Sequence, residues 1–265
     1  MRLQPIVSRA AALGLAGILF LAGAVHAAEI RVVSSGGFAA AYRALAPEFE
    51  HATGDTLVTE WGPSMGNTVN AVPARLRRGE PIEVVIMVGD ALEDLVKQGK
   101  VVSDSRAALA RSGIGAAVRA GASKPDISSV DALRRTLLAA KSIAYSDSAS
   151  GVYIQNVLFK RLGIADQVAG KARMIPAEPV GEVVARGEAE IGFQQISELK
   201  PIPGIELVGP LPPEVQKYTL FSAGIVTGAR EPEAARALIK FLASPAAAPA
   251  IRDSGMEPMV SVAQK

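Results

Sequence analysis

Val32-Val33-Ser34-Ser35-Gly36-Gly37-Phe38-Ala39-Ala40-Ala41-Tyr42 is a short apolar strand that runs into two serines and two glycines, then into a helix. The start of a helix carries backbone N–H groups without intrahelical partners and the positive end of the helix dipole, a combination suited to an anion. The device recurs at Trp61-Gly62-Pro63-Ser64-Met65-Gly66-Asn67, at Ser146-Asp147-Ser148-Ala149-Ser150-Gly151 and at Pro176-Ala177-Glu178-Pro179-Val180. Each of the four follows an expected strand and precedes an expected helix. Together they predict a cleft for one small anionic ligand.

The segments between the turns fix the architecture. Glu29–Ser34, Thr56–Glu60 and Glu83–Val88 read as strands. Helices are predicted over Phe38–His51, over about Thr68–Arg78, and from Gly89-Asp90 to Gly99. Alternating strand and helix predicts a mainly parallel sheet flanked by helices, with ligands at the carboxyl ends of strands. The second half repeats the order. Strands are predicted at Ile114–Arg119, Ser142–Tyr145, Ala172–Ile175 and Ala189–Gln194, with helices over Ser129–Ala140, Val152–Leu162 and Gly181–Arg186. Strands Ile205–Gly209 and Tyr218–Thr227 follow, then helices Pro232–Leu242 and Pro245–Ser254. This predicts two α/β lobes, with 28–115 and 220–265 forming lobe I and 116–219 lobe II.

The N-terminus has Arg2 and Arg9, an uncharged apolar run from Ala10 to Val25, and Val25-His26-Ala27 at a cleavage position. This pattern predicts a signal peptide over 1–27 and export to the periplasm. A membrane anchor is the weaker reading, because the run falls short of the ~20 residues a bilayer span needs. Removing Arg2 and Arg9 from 28 Lys and Arg leaves a balance with 26 Asp and Glu, so no nucleic-acid surface or polybasic patch is expected. The chain has no Cys, which removes disulfides and thiolate chemistry. His51 is the one histidine left after cleavage, on the outer end of the first helix, which argues against a Ser–His–Asp triad and a His-rich zinc site. No Gly-Lys-Ser or Gly-Lys-Thr loop occurs. Neither a cofactor nor a metal is implied.

Candidate ligand groups are the hydroxyls of Ser34, Ser35, Ser64, Ser146, Ser148 and Ser150 and the backbone of the glycine-rich turns. Tyr145, Tyr153, Gln155, Gln194 and Gln195 are further candidates, each equally readable as a surface cap. Trp61 reads as core in preference to a cleft wall. Arg75, Arg77 and Arg78 read as a solvated helix face.

The strings VVSSGGFAAAYRALAPEFEHATG, EWGPSMGNTV, IAYSDSASGVYIQNVLFKRLGI, PAEPVGEVVARGEAEIGF and ALIKFLASPAAAPAIRDSGMEP resemble the periplasmic molybdate-binding proteins of ABC importers over almost the whole mature chain. The resemblance implies the two-lobe type II periplasmic binding protein fold, with an oxyanion between the lobes. It puts the family's first ligand serine at Gly37 and its second at Ser64. Its backbone contacts fall near Ser150 and Gly151 and on Val180, and its ligand tyrosine on Gln195. Loss of a serine and a tyrosine implies a remodelled pocket in which Gly37 opens space for a larger anion, such as a di- or tricarboxylate. The expected ligand set is Ser34, Ser35, Gly37, Ser64, Gly66, Ser150, Gly151, Tyr153, Val180 and Gln195. Bacterial aconitate isomerases are similar to this family, which implies an allylic proton shift on aconitate. The alternative is a binding protein that delivers an oxyanion or carboxylate to an ABC permease. The residues identify no clear base. Glu178, Tyr145, Tyr153 and the serines are the candidates, and a structural role for Glu178 is the stronger reading.

Overall fold

The computed structural model describes residues 27–259. The expected export signal and the tail from Val260 lie outside the described residues. Among the described residues, no helix is long and apolar enough to cross a membrane.

The chain runs β1 (Glu29–Ser34), α1 (Gly36–Thr53), β2 (Thr56–Trp61), α2 (Val72–Arg77), β3 (Val84–Val88), α3 (Gly89–Lys97) and β4 (Ala107–Arg119). Then follow α4 (Val130–Ala139), β5 (Ile143–Ser146), α5 (Ala149–Tyr153), α6 (Phe159–Arg161), α7 (Ala165–Val168), β6 (Ala172–Ile175), α8 (Val180–Ala185), β7 (Ile191–Gln195) and α9 (Ile196–Leu199). The last elements are β8 (Ile205–Pro210), β9 (Tyr218–Ile225), α10 (Pro232–Leu242), α11 (Ala248–Asp253) and β10 (Glu257–Pro258). A π-turn over Ile154–Leu158 joins α5 to α6.

Strand order is β2-β1-β3-β9-β4-β7-β5-β6. β1 pairs in parallel with β2 and β3, and β5 pairs in parallel with β6 and β7. β9 is antiparallel to β3 and to the first half of β4. β4 is the strand that passes between lobes. Its residues up to Gly113 pair with β9, whereas Ile114–Ala117 pair with β7 and Gly115–Arg119 with β8. Sequence reading placed this strand only from Ile114, because Ala107 to Arg111 carries few β-formers.

The inner parallel strands β3, β5 and β7 are buried on both faces, so their apolar residues run without strict alternation. In lobe I, Ile30, Val32 and Ile86 pack with Phe38, Tyr42, Leu45 and Phe49 of α1. Val33, Val85 and Met87 face the other way, toward Leu92 and Leu95 of α3. In lobe II, Ile114, Ile143 and Phe193 pack with Leu133, Leu158 and Phe159, and Ala144 packs with Val180, Val183 and Val184 on the other side. Gly54 ends α1 with φ of 79°, the left-handed conformation a Gly C-cap supplies.

Two helix starts beside the cleft differ from expectation by three or more residues. α2 begins at Val72 instead of Thr68, with Pro73 in its first turn, where the missing N–H costs no helical bond. The preceding loop is held by the Val72 N–H donating to the Pro63 carbonyl at 3.0 Å. α5 begins three residues before the expected Val152, at Ala149. Its Gly151 lies so close to the Ser146 carbonyl that a methyl group would collide with backbone. Gly151→Ala should therefore force β5 and α5 apart and cost about 3 kcal/mol, read as a lowered urea midpoint with an unchanged slope.

Candidate functional site

The four turns meet in a cleft of about 590 Å³, within the size range of small-molecule sites. Lobe I supplies Ser35, Gly36 and Gly37 at the start of α1, the Pro63–Gly66 loop and Phe221 of β9, with Thr219 of the same strand at the expected boundary between the lobes. Lobe II supplies Ser146, Asp147 and Ser148 before α5, Ala177 to Pro179 before α8, and Gln194, Gln195 and Glu198 around the end of β7.

Ser35 occupies the N-cap of α1, yet its side chain caps nothing. Its Oγ is buried and unpartnered. An N-cap serine ordinarily accepts from its own helix. Here the hydroxyl and the first N–H groups of α1 are left for something in the cleft. Ser64 Oγ accepts from the Val88 N–H at 3.0 Å, which leaves its own proton free to donate. Ser146, Ser148 and Ser150 form a hydroxyl triangle with edges of 2.7, 3.0 and 3.3 Å. Gln195 Nε2 donates to Thr219 Oγ1 at 2.7 Å across the lobe boundary, and Gln195 Oε1 is buried without a partner. The fourth turn is tied to the third by the Ala177 N–H, which donates to Asp147 Oδ2 at 3.1 Å. Ala177 holds φ of 60°, a conformation L-residues adopt at a cost.

Of the residues expected from sequence, Ser35, Gly37, Ser64, Gly66, Ser146, Ser148, Glu178, Gln194 and Gln195 line the cleft. The others do not form its wall. Ser34 is buried and its hydroxyl bonds to the Ser35 carbonyl. Ser150 and Gly151 sit beneath the third turn, packed on Ser146. Tyr153 turns away and donates to the Val215 carbonyl at 2.8 Å. The Val180 N–H donates to Gln194 Oε1 at 2.9 Å. Tyr145 is buried edge-on against Phe159. Trp61 is half-buried against Tyr42, with Arg43 over its ring. Arg75 is engaged by Glu60 and Glu80. Of the cleft-lining residues, Glu178 is exposed and paired with Arg186 at 3.0 Å.

The expectation that Gly37 opens space is corrected. The Phe221 ring fills that position, and a methyl group on Gly37 would collide with it. The glycine admits an aromatic floor from β9.

Sequence reading also missed Glu198. It sits three residues beyond Gln195, the N-cap of α9, where a Glu can reach back to the cap N–H. That Ser-or-polar-to-Glu spacing was the available signal. Its carboxyl crosses the cleft to the start of α1, so that a Cβ on Gly36 would lie 2.8 Å from Oε1. Burial raises its pKa from 4.5 to about 7. The Gln194 side chain opposes the shift, the Asp147 charge adds to it, and the Gln195 backbone N–H opposes it.

Asp147, Glu178 and Glu198 line the cleft, whereas none of its described lining residues is Lys, Arg or His. Among the described residues, no group of three or more His, Cys, Asp or Glu side chains is placed to hold a metal ion. The cleft therefore offers an anion neutral hydroxyl and amide donors, with one proton-binding carboxyl beside them.

Two outcomes follow from this geometry. Gly37→Ala should cost about 1–3 kcal/mol of stability, and the loss should shrink when Phe221→Ala is added, in a double-mutant cycle read by urea unfolding. A carboxyl with a raised folded pKa weakens the fold as pH rises through that value. Glu198→Gln should thus unfold at a higher temperature than the parent at pH 8, and this advantage should fade toward pH 4.5 as the parent's carboxyl protonates.

Known proteins share both sequence and fold with the chain. A family model described as bacterial extracellular solute-binding protein matches residues 30–257. An aconitate isomerase from a Pseudomonas species is 55% identical over 230 residues, covering 87% of this chain and 88% of that one. The molybdate-binding protein ModA of Azotobacter vinelandii is 30% identical over 249 residues, covering 90% and 94%. The solved structure of an Azotobacter vinelandii periplasmic molybdate-binding protein superposes with a TM-score of 0.68 at 23% identity, covering 86% and 98%.

Proposed function

The chain belongs to the bacterial extracellular solute-binding proteins, and we propose that it is an aconitate isomerase of the periplasm that interconverts trans- and cis-aconitate in the inter-lobe cleft. The observation that carries this reading is the 55% identity to an aconitate isomerase across nearly the whole chain, against 30% to a molybdate-binding protein. The site agrees in kind. A tricarboxylate needs several hydrogen-bond donors spread over both lobes, and Ser35, Ser64 and Ser148 supply hydroxyls from three of the four turns. The first N–H groups of α1 add backbone donors with a favourable dipole.

The reaction asks little of a cofactor. A methylene proton leaves, its electron pair spreads over the allyl unit and the adjoining carboxylates, and a proton returns to the former vinyl carbon. One C–H bond breaks, another forms, and the double bond moves between them. Hydroxyl and amide donors around the outer carboxylates stabilise the charge as it spreads.

The second reading is a solute-binding protein that hands an oxyanion or carboxylate to an ABC permease. The family and the molybdate-binding relatives favour it. Turnover separates the two. Purified protein mixed with trans-aconitate in heavy water should yield cis-aconitate carrying deuterium, followed by proton NMR. Tight binding with neither conversion nor exchange would support the transport reading and reject the isomerase. In both cases Ser64→Ala should weaken ligand binding about tenfold, the size of one lost hydrogen bond, by calorimetry. Unchanged affinity would remove Ser64 from the site.

A further inference from the structure

We propose that Glu198 is the proton carrier of the reaction, taking the methylene proton of aconitate on its carboxylate and delivering a solvent-exchangeable proton to the former vinyl carbon. This inference rests on the aconitate isomerase reading.

Geometry selects Glu198 from three cleft carboxylates. Glu178 is exposed and bound to Arg186 at 3.0 Å. Asp147 holds the fourth turn through the Ala177 N–H at 3.1 Å. Glu198 alone crosses from lobe II to the start of α1, where Gly36 has no side chain to keep it away. It thus shares the cleft with donors of lobe I, Ser35 and Ser64, and of lobe II, Ser148 and Gln195. A ligand whose outer carboxylates reach both sets would present its central carbons to Glu198. Among the cleft-lining residues, the two buried side-chain polar atoms without partners are Ser35 Oγ, next to Gly36 in the chain, and Gln195 Oε1, at the start of the helix that carries Glu198. Phe221 and Val88 add apolar surface to the same cleft.

The proton balance closes on this one group. The carboxylate becomes a carboxylic acid as the first C–H bond breaks and is restored as the second forms. No oxidant, reductant or second base is needed. Burial lifts the Glu198 carboxyl to about 7, which strengthens it as a base while leaving it ionised in part at neutral pH. The titratable groups lining the cleft with it are Asp147 and Glu178. The facing start of α1 and the cleft residues of β9, Thr219 and Phe221, carry none.

The test compares wild-type protein with Glu198→Gln and Glu198→Asp. Binding of propane-1,2,3-tricarboxylate, the saturated analogue, is measured by calorimetry, and conversion of trans-aconitate in heavy water by NMR. Glu198→Gln should bind the analogue within a few-fold of wild type and lose about a thousandfold in kcat, with no deuterium entering the ligand. Glu198→Asp, which keeps the carboxyl but shortens its reach, should retain measurable conversion. The wild-type kcat/KM should rise with pH through about 7 and level above it. Conversion by Glu198→Gln within tenfold of wild type would overturn the assignment, as would a wild-type profile flat between pH 5 and pH 9, even if Glu198→Gln failed to fold. A wild-type protein inert toward both aconitate isomers would instead reject the isomerase reading itself, and the proton carrier with it.

Discussion

The close approach allowed by Gly36 and Gly37 is the constraint on which the cleft depends. A helix start can serve an anion only if side chains do not cover it. Here the two missing side chains are used in different directions. Gly36 lets the Glu198 carboxyl come up from the opposite lobe, and Gly37 lets the Phe221 ring lie beneath the first turn. One glycine thus sets the polar content of the cleft and the other its apolar floor. β1 positions both, since the Ser35 N–H donates to the Ile86 carbonyl of β3 at 2.8 Å and the Gly62 N–H to the Ser34 carbonyl at 3.2 Å. The first and second turns are therefore hydrogen-bonded to the same sheet edge, and neither can shift alone.

The electrostatics are unusual for a site that takes an anion. Arginine or lysine would bind a tricarboxylate more strongly, yet Arg75 and Arg78 are occupied by Glu60 and Glu80 and do not line the cleft. A cation in the cleft would also lower the basicity of a neighbouring carboxylate. Neutral donors avoid that effect. The cost falls on stability, because keeping the Glu198 charge out of water at neutral pH opposes folding by up to roughly 3 kcal/mol, the equivalent of its displacement from 4.5 to about 7. The two large cores, one per lobe, offset it.

Much of the scaffold was legible from residue patterns, and the reasons mark where legibility stopped. The strand–turn–helix units are local, so Gly54, Gly163 and the apolar spacing in Phe38–Phe49 announce them. The lobes follow from their order. β4 was cut short because its first half is held by partners distant in sequence, from Ala223 to Tyr218, and not by its own propensity. The same limit explains the site. Ser35 and Ser64 were found because they belong to turns with a recognisable composition. Tyr153 was included for its chemistry, but the helical turn that carries it points the ring to Val215. Phe221 and Glu198 were missed because their importance comes from what they meet across space. Gly37 was read as a gap, and a glycine in sequence cannot say whether its missing atoms leave room or admit a neighbour.

A cleft that binds and a cleft that isomerises can share nearly all of this structure. Binding requires donors at the ends of the ligand. Catalysis by proton shift requires, in addition, a group near its centre that is charged in one step and neutral in the next, and whose partners tolerate both states. Glu198 has such surroundings. The Gln195 N–H favours the carboxylate, while burial and the Asp147 charge favour the acid. Because the pulls oppose one another, the group titrates near neutrality instead of being fixed in either form. A single carrier is sufficient, since one outer carbon loses a proton as the other gains one, and the conformation of the bound allyl anion sets whether the new double bond is cis or trans. A site with donors from both lobes and one mobile proton between them accepts either isomer. Accelerating the interconversion then depends on stabilising the shared anion more than either end state, and hydroxyls such as those of Ser35 and Ser64 can do this without binding the ground-state carboxylates as strongly as a cation would.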